Sequence, residues 1–545
     1  MIEAKKRNGF VSGFGFILAA AGSAIGLGNL WSFPYKTSAN GGAAFVFTYI
    51  LSVLVIGIAV MVAEIYIGKR AQANPISAYK KTHKNLGWLG FFAILIPFFI
   101  ICYYSVLGGY TVKYAVTSFT GNSGIATAFA GNKWQVILFT AIFVILAVVV
   151  VMAGVKDGIE KASKILMPAL FIILIAIAIY CLCLGEGVKE GVEFYLKPNF
   201  KELGLGGVLA AMSQAFFSLS LGMGIMVSYG SYTGENIKVG KSVGMIALFD
   251  TLVALIAGLA IFPAVYHYQA VNPGSNLATS GILLMFETMP LVFESMGLLG
   301  KFISFFFFAM VVIAALTSVI SLMEVVTQFI IQKFKVNRKI SILIVSLVTF
   351  AISIPIGISL GKVLNGDNSM LICGQNWLDF FDMVTNVVLM PIGALGACIA
   401  LGWCAFKGEK KTDIFNPVAF NRQLKKDGLN LGWFGVVFAV MVKYVTPILI
   451  LVVEVVGVID FIAPVTEGVR VFSSNGLGIV LTAYGLCAIA IAIYFIFFKN
   501  RDTGCNDDEL KLSNKIFARK KVVQEVSGAS ETATPEVETK EETLE

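Results

Sequence analysis

Long apolar runs alternate along this chain with short polar segments rich in Lys and Arg. A run of about 20 apolar residues is the length of a bilayer-crossing helix. Such runs cover 11–36, 42–67, 87–116, 135–153 and 163–183. A longer segment of mixed charge, 184–206, follows. Further runs cover 207–231, 240–262, 300–330, 340–358, 378–405, 433–458 and 475–498. The pattern predicts an all-α integral membrane protein with twelve transmembrane helices. After Phe517 no apolar periodicity remains, and the Glu/Thr-rich end of the tail reads as disordered.

Two of these runs are interrupted. The first contains Gly22, Gly26 and Gly28, with Asn29 bringing a carboxamide to membrane depth. The sixth, Gln214 through Gly224, carries Ser218, Ser220, Gly222 and Gly224. Broken helix inside a membrane is tolerated only where protein buries it or a cavity lines it. Its freed carbonyls suit a cation and its exposed amides suit a carboxylate. On the glycines alone, close packing against another helix remains a competing reading. Interruptions five spans apart predict two inverted five-helix repeats, 11–206 and 207–405, followed by two further helices in 406–498. Segments 1–10 and 499–545 form the polar ends.

Composition narrows the class. The chain is 57% hydrophobic and 14% charged, which excludes an ordinary soluble domain. The net charge of +8 does not indicate a nucleic-acid partner, because the basic residues sit between apolar runs. The stretches assigned to the cytoplasm before the tail carry about three times as many Lys and Arg as the outer ones, placing both termini inside. Lys36 counts among the outer residues. Lys5, Lys6 and Arg7 before an apolar run resemble a signal peptide, but apolar character resumes after Pro34 and returns many times. Of the eight cysteines only Cys373 falls in a plausible outer loop, so neither a disulfide framework nor a metal cluster is expected. His83 and His267 lie near chain segments with no nucleophile in view, which argues against an enzyme.

Gly22 through Pro34, Asn40 through Phe45, Gln214 through Gly224 and Ala314 through Ser318 resemble the neurotransmitter:sodium symporter family over roughly Arg7 to Lys499. The flavour is that of bacterial members carrying leucine and other hydrophobic or aromatic amino acids. The resemblance implies two Na+ sites. The first would use the Ala24 carbonyl, Asn29, Ser218 and Asp250, with the substrate carboxylate completing the shell. The second would use carbonyls of Gly22, Ile25 and Ala314 with hydroxyls of Thr317 and Ser318. For that hydroxyl pair, back-bonding to the preceding helical turn is the ordinary alternative.

Asp250 is the most informative single residue, since charge at mid-membrane is rare and usually functional. A pair with Lys241 along one helix would span about 13 Å. Many relatives have asparagine at this position, and chloride-dependent ones have serine where this chain has Ala254. The carboxylate therefore implies independence from chloride.

By the same resemblance the substrate is a small zwitterionic amino acid. Amides around Leu27 and Gly28 and the Tyr104 hydroxyl would bind its carboxylate. Carbonyls of Ala24, Phe217 and Ser218 with the Ser220 hydroxyl would hold its ammonium. Ile100, Phe217, Met223, Val319 and Leu322 would line the side-chain pocket, though ordinary helix packing explains Met223 and Leu322 as well. Monoamine transporters have aspartate where this chain has Gly26, so the substrate should carry its own carboxylate.

The gates depart from the family. Ser32 replaces the usual outer arginine while its acidic partner survives as Asp382, so the outer salt bridge is expected to be absent, and closure would rest more on Tyr104 over Phe217. Arg7 and Phe10 match the inner-gate residues, but Gln332 stands where their acid is expected. Gly158 and Pro168 resemble an unwinding motif in the fifth span, with a plain helix start as the alternative.

The expected function is sodium-coupled symport of a hydrophobic or aromatic amino acid across the cell membrane by alternating access. A same-fold symporter for another zwitterion and a non-transporting amino-acid sensor are the alternatives. The protein is expected as a monomer or weak homo-oligomer in the bilayer.

Overall fold

The computed structural model describes residues 9–120, 125–234, 237–274, 281–404, 416–426, 428–462, 465–466, 469–470 and 473–498. Its helices follow the apolar runs. In chain order we label α1 (Gly13–Ala24), α2 (Gly28–Ala39), α3 (Ala43–Ala71), α4 (Gly87–Thr117), α5 (Lys133–Met152) and α6 (Val155–Leu182). A short helix α7 (Val188–Leu196) precedes α8 (Phe200–Ser218) and α9 (Ile225–Ser231). Then come α10 (Val239–Val271), α11 (Gly297–Phe334), α12 (Arg338–Leu364) and α13 (Trp377–Cys404). A short α14 (Pro417–Lys426) leads to α15 (Phe434–Ile459) and α16 (Ser474–Ile496).

Ten of these helices are individually long and apolar enough to cross a bilayer, and α1 with α2, bent by 47°, makes an eleventh. The sixth expected crossing falls outside that count because it is in two pieces, α8 of 19 residues and α9 of only 7. A two-stranded antiparallel hairpin, Val465–Thr466 with Val469–Arg470, adds a minor β element between α15 and α16. Several helices outrun the apolar run that predicted them. The helix around Asp250 continues to Val271, and the fifth starts at Val155 instead of 163, because polar residues at the membrane edge continue a helix without cost to burial.

Both breaks have visible causes. Helix α1 stops when Ile25 turns extended (φ −73°, ψ 96°). A Cβ on Gly26 would lie 2.3 Å from Ser318 Oγ and 2.7 Å from the Tyr104 hydroxyl, so any side chain there must displace both hydroxyls. Chain re-entry into α2 begins as a π turn, Gly28–Ser32, a local widening often found at functional positions. In the second break Ser220, Gly222 and Gly224 all have positive φ. A Cβ on Gly222 would sit 2.2 Å from the Met390 carbonyl oxygen. The Gly222 N–H donates to Glu64 at 2.9 Å, which places a carboxylate against the unwound segment.

Helix α6 is wound at Gly158. Residues Val155–Glu160 form a π turn after Gly154 (φ 90°), and Pro168 sits inside the helix. A Cβ on Gly158 would lie 2.1 Å from the Val150 carbonyl oxygen, so close packing against the end of α5 accounts for this glycine.

Candidate functional site

The two breaks face each other and enclose a small cavity. Its lining includes Ser23, Ala24, Gly26 and Gly28 from the first break, with Phe217, Ser220, Met223 and Ile225 from the second. Ile100 and Tyr104 come from α4, and Ser318 and Leu322 from α11. Most of the expected pocket residues are therefore brought together. Leu27, Ser218 and Val319 are buried beside the cavity and are not part of its lining. Ser23, Gly26, Ile225 and Ser318 are lining residues that the sequence reading did not assign to the pocket. Ser23 and Ile225 immediately flank the interruptions, and that was the available signal.

A buried polar cluster is built around Asp250. Asn29 Nδ2 donates to Asp250 Oδ1 and to the Asp250 carbonyl, both at 2.9 Å. The Ser218 hydroxyl donates to Oδ2 at 2.7 Å and the Tyr49 hydroxyl to the same oxygen at 3.1 Å. All four side chains are fully buried. Among the described residues no Lys or Arg pairs with this carboxylate. A carboxylate removed from water with three hydrogen-bond donors and no cationic side chain calls for a cation or a proton. Asn29, Ser218 and Asp250 thus form one cluster, while Ala24 lines the cavity.

Near the second expected ion position the hydroxyls point elsewhere. Thr317 Oγ1 donates to the Ala314 and Ile313 carbonyls at 3.0 and 3.2 Å, the back-bonded arrangement. Ser318 and Ser220 both donate to the Ser23 carbonyl, each at 3.0 Å. Gly22 does lie against α11, since its Cβ would be 3.4 Å from Thr317 Cβ. Gly22, Ala314, Thr317 and Ser318 are therefore neighbours, but in this arrangement Thr317 is turned into its own helix.

At the cavity roof the Leu27 N–H donates to the Tyr104 hydroxyl at 2.9 Å, so the broken helix end already has an oxygen in front of it. Phe217 packs over Gly28, where a Cβ would approach its ring to 3.2 Å.

Along α2, on the side proposed to face outward, Ser32 takes a partner other than Asp382. Ser32 donates to Gln214 Oε1 at 2.8 Å and does not reach for Asp382. Lys36 Nζ donates to the same Gln214 oxygen at 3.0 Å, and its charge acts directly on Asp382. Asp382 is held by Asn386 Nδ2 at 2.5 Å and by the Tyr103 hydroxyl. Lys36 thus stands one helical turn after the usual arginine position, bonded to Gln214, and forms no salt bridge with Asp382 among the described residues.

At the start of α1, Glu160, Tyr232, Glu324 and Arg338, which the sequence reading did not single out, act beside the expected Phe10 and Gln332. Glu160 accepts from the Val11 N–H at 2.8 Å and from Ser12 at 3.2 Å, and pairs with Lys164. Phe10 N–H donates to the Tyr232 carbonyl at 3.1 Å, and its ring packs on Phe16 and Tyr229. Arg338 pairs with the buried Glu324, which also accepts from the Tyr232 hydroxyl. Gln332 caps Asn74 through its N–H and side-chain amide. Arg7 lies outside the described residues.

Bilayer-length helices, two facing interruptions that line a pocket and a buried carboxylate cluster held by both interrupted helices fit a membrane transporter for a small solute. The chain belongs to the Sodium:neurotransmitter symporter family, whose profile matches residues 7–136 and 127–500. It is 33% identical over 467 residues to an uncharacterized sodium-dependent transporter, YhdH, of Bacillus subtilis, covering 83% of this chain and 98% of the relative. A Haemophilus influenzae sodium-dependent transporter is 31% identical over 474 residues, covering 82% and 98%. The crystal structure of MhsT in complex with L-phenylalanine matches with a TM-score of 0.73 at 35% identity, covering 83% of this chain and all of MhsT. The protein is accordingly a multi-pass membrane transporter and not an enzyme.

Proposed function

We propose that this protein carries a hydrophobic or aromatic amino acid across the membrane together with Na+, by alternating access. The observation that carries the reading is Asp250, fully buried, hydrogen-bonded three times and, among the described residues, without a cationic side chain, linked through Asn29 and Ser218 to the two interrupted helices whose breaks line a cavity with Ile100, Phe217, Met223 and Leu322. A sodium ion held by Asn29, Ser218, Asp250 and the Ala24 carbonyl would neutralise that carboxylate. The substrate carboxylate would complete the shell, so each ligand stabilises the other. The phenylalanine bound to MhsT supports an apolar side chain for the substrate.

A second Na+ at Gly22, Ile25, Ala314, Thr317 and Ser318 requires Thr317 to exchange its back-bond for the ion. The proposed topology has twelve crossings, two inverted five-helix repeats and both termini in the cytoplasm, with α8 and α9 together forming the sixth. Uptake is proposed to be independent of chloride, because Asp250 supplies the negative charge. Radiolabelled leucine, phenylalanine and tyrosine uptake into proteoliposomes under an imposed sodium gradient tests the reading. Binding without accumulation would leave a sensor in its place.

A further inference from the structure

Helix α14 lies between α13 and α15 and has two faces. Phe420, Asn421 and Leu424 are buried against the protein. Arg422, Lys425 and Lys426, at i, i+3 and i+4, are exposed together on the opposite side. Among the described residues no carboxylate pairs with any of the three. Asp427, next in sequence, lies outside the described residues. The helix is firmly seated, because the Phe420 ring sits 4.2 Å from the Lys443 ammonium of α15, which also faces the Trp403 ring at 5.4 Å. A basic edge held in place by an aromatic–cation contact is a fixed surface and not a flexible charged loop.

What it faces follows from α15. Val436, Val437 and Val440 are exposed on that helix and, at i, i+1 and i+4, form one lipid-facing stripe. Trp433, 86% exposed and one residue before Phe434, continues the stripe at i−3 and i−4. Tryptophan on the lipid-facing side at a helix end belongs at the membrane–water boundary. The turn through Gly428 (φ 92°) and Gly432 (φ 62°) folds α14 back beside that boundary. Among the described residues, three cations without a carboxylate partner thus lie on the exposed face of a helix that packs on α15, and the start of α15 carries the exposed Trp433.

We propose that Arg422, Lys425, Lys426 and Trp433 form a site for the phosphate headgroup of an anionic phospholipid. The phosphodiester accepts from Arg422 and the two ammonium groups, while the Trp433 ring lies against the glycerol and upper acyl chain. The proposed topology makes this leaflet the cytoplasmic one. The test below reads either leaflet, so its failure would leave the transport reading standing.

The test uses the full-length protein in nanodiscs containing brominated phosphatidylglycerol or brominated phosphatidylcholine at equal mole fraction. The Trp433 emission is taken as wild type minus Trp433→Phe. Brominated phosphatidylglycerol is expected to quench it at least about twofold more strongly than brominated phosphatidylcholine, as local enrichment by three cations requires. The excess should vanish in R422Q/K425Q/K426Q and in molar NaCl, and persist in K238Q/K241Q. Should the triple variant not purify, K425Q/K426Q and the salt series on wild type make the same comparison. Equal quenching by the two lipids, or an excess that survives both neutralisation and salt, overturns the proposal. Loss of the excess on adding millimolar inorganic phosphate also overturns it, in favour of a soluble-phosphate site.

Discussion

Ser32 and Lys36 donate to one oxygen, Gln214 Oε1, at 2.8 and 3.0 Å. They stand one helical turn apart on α2, so a change at either is felt by the other through the glutamine. Gln214 in turn donates to the Gly28 carbonyl at 2.7 Å, tying the outer half of the first broken helix to α8.

Lys36→Gln removes the only positive charge in this cluster. We expect faster labelling of an outer-vestibule cysteine at saturating sodium and substrate, and uptake lowered several-fold. Adding Ser32→Arg to Lys36→Gln should restore slow labelling, since an arginine there reaches toward Asp382. Unchanged labelling in Lys36→Gln would count against a gating role.

Thr317→Ala with Ser318→Ala should abolish sodium-coupled uptake while the protein still inserts and purifies. In the structure Thr317 is bonded to its own helix, so its loss costs little stability, about 1 kcal/mol or less. The sodium dependence of uptake is the measurement. An unchanged sodium response in the double variant would remove both residues from the ion site.

Gly26→Ala should eliminate amino-acid binding while preserving the fold. The added methyl would meet Ser318 Oγ and the Tyr104 hydroxyl at the cavity wall. Scintillation proximity binding of labelled leucine checks this. Gly26→Asp should likewise fail to confer amine transport, because the carboxylate has nowhere to go.

Glu160→Gln loosens the first turn of α1 from α6. Amide exchange at residues 11–16 should accelerate at least several-fold, with the outer vestibule less accessible to labelling. Exchange equal to wild type would show that Phe10 and Tyr232 hold the turn without help.

Uptake should run at full rate with gluconate in place of chloride. Tyr49 and Ser218 already converge on Asp250 Oδ2, so the carboxylate occupies the position an anion would take between them. Asp250→Asn should weaken sodium binding, and with Ala254→Ser should make uptake depend on chloride. A wild-type rate that falls several-fold without chloride, at constant sodium and pH, would falsify the charge argument.

The breaks were legible because glycine and a polar side chain inside an apolar run have few other meanings. Gly22, Gly26, Gly222 and Gly224 mark them directly, and Asp250 declares itself by its depth. Lys36 was not legible. Its position at the edge of an apolar run reads as an outer-loop lysine until Gln214, 178 residues away, is folded against it. Glu160 was hidden for the same reason, since its partner Val11 is 149 residues distant and contributes only a backbone N–H. In α6 the Gly–Pro spacing records how a helix could open, and the close approach of Gly158 to the Val150 carbonyl is a second reason for glycine there that the sequence does not show. The split sixth crossing shows the limit of counting apolar length when a chain stops being helical halfway.

The Ser23 carbonyl accepts from Ser220 on one side and Ser318 on the other, at equal distances. Ser318 belongs to the long continuous α11, and Ser220 to the unwound segment beyond α8. A carbonyl has two lone pairs, so neither donor excludes the other. Were the two parts to slide apart, one hydroxyl could let go while the other holds. Each step then surrenders about 1 kcal/mol instead of exposing an orphaned oxygen all at once. The single oxygen is thus a pin through two knuckles, able to keep one when the other is withdrawn.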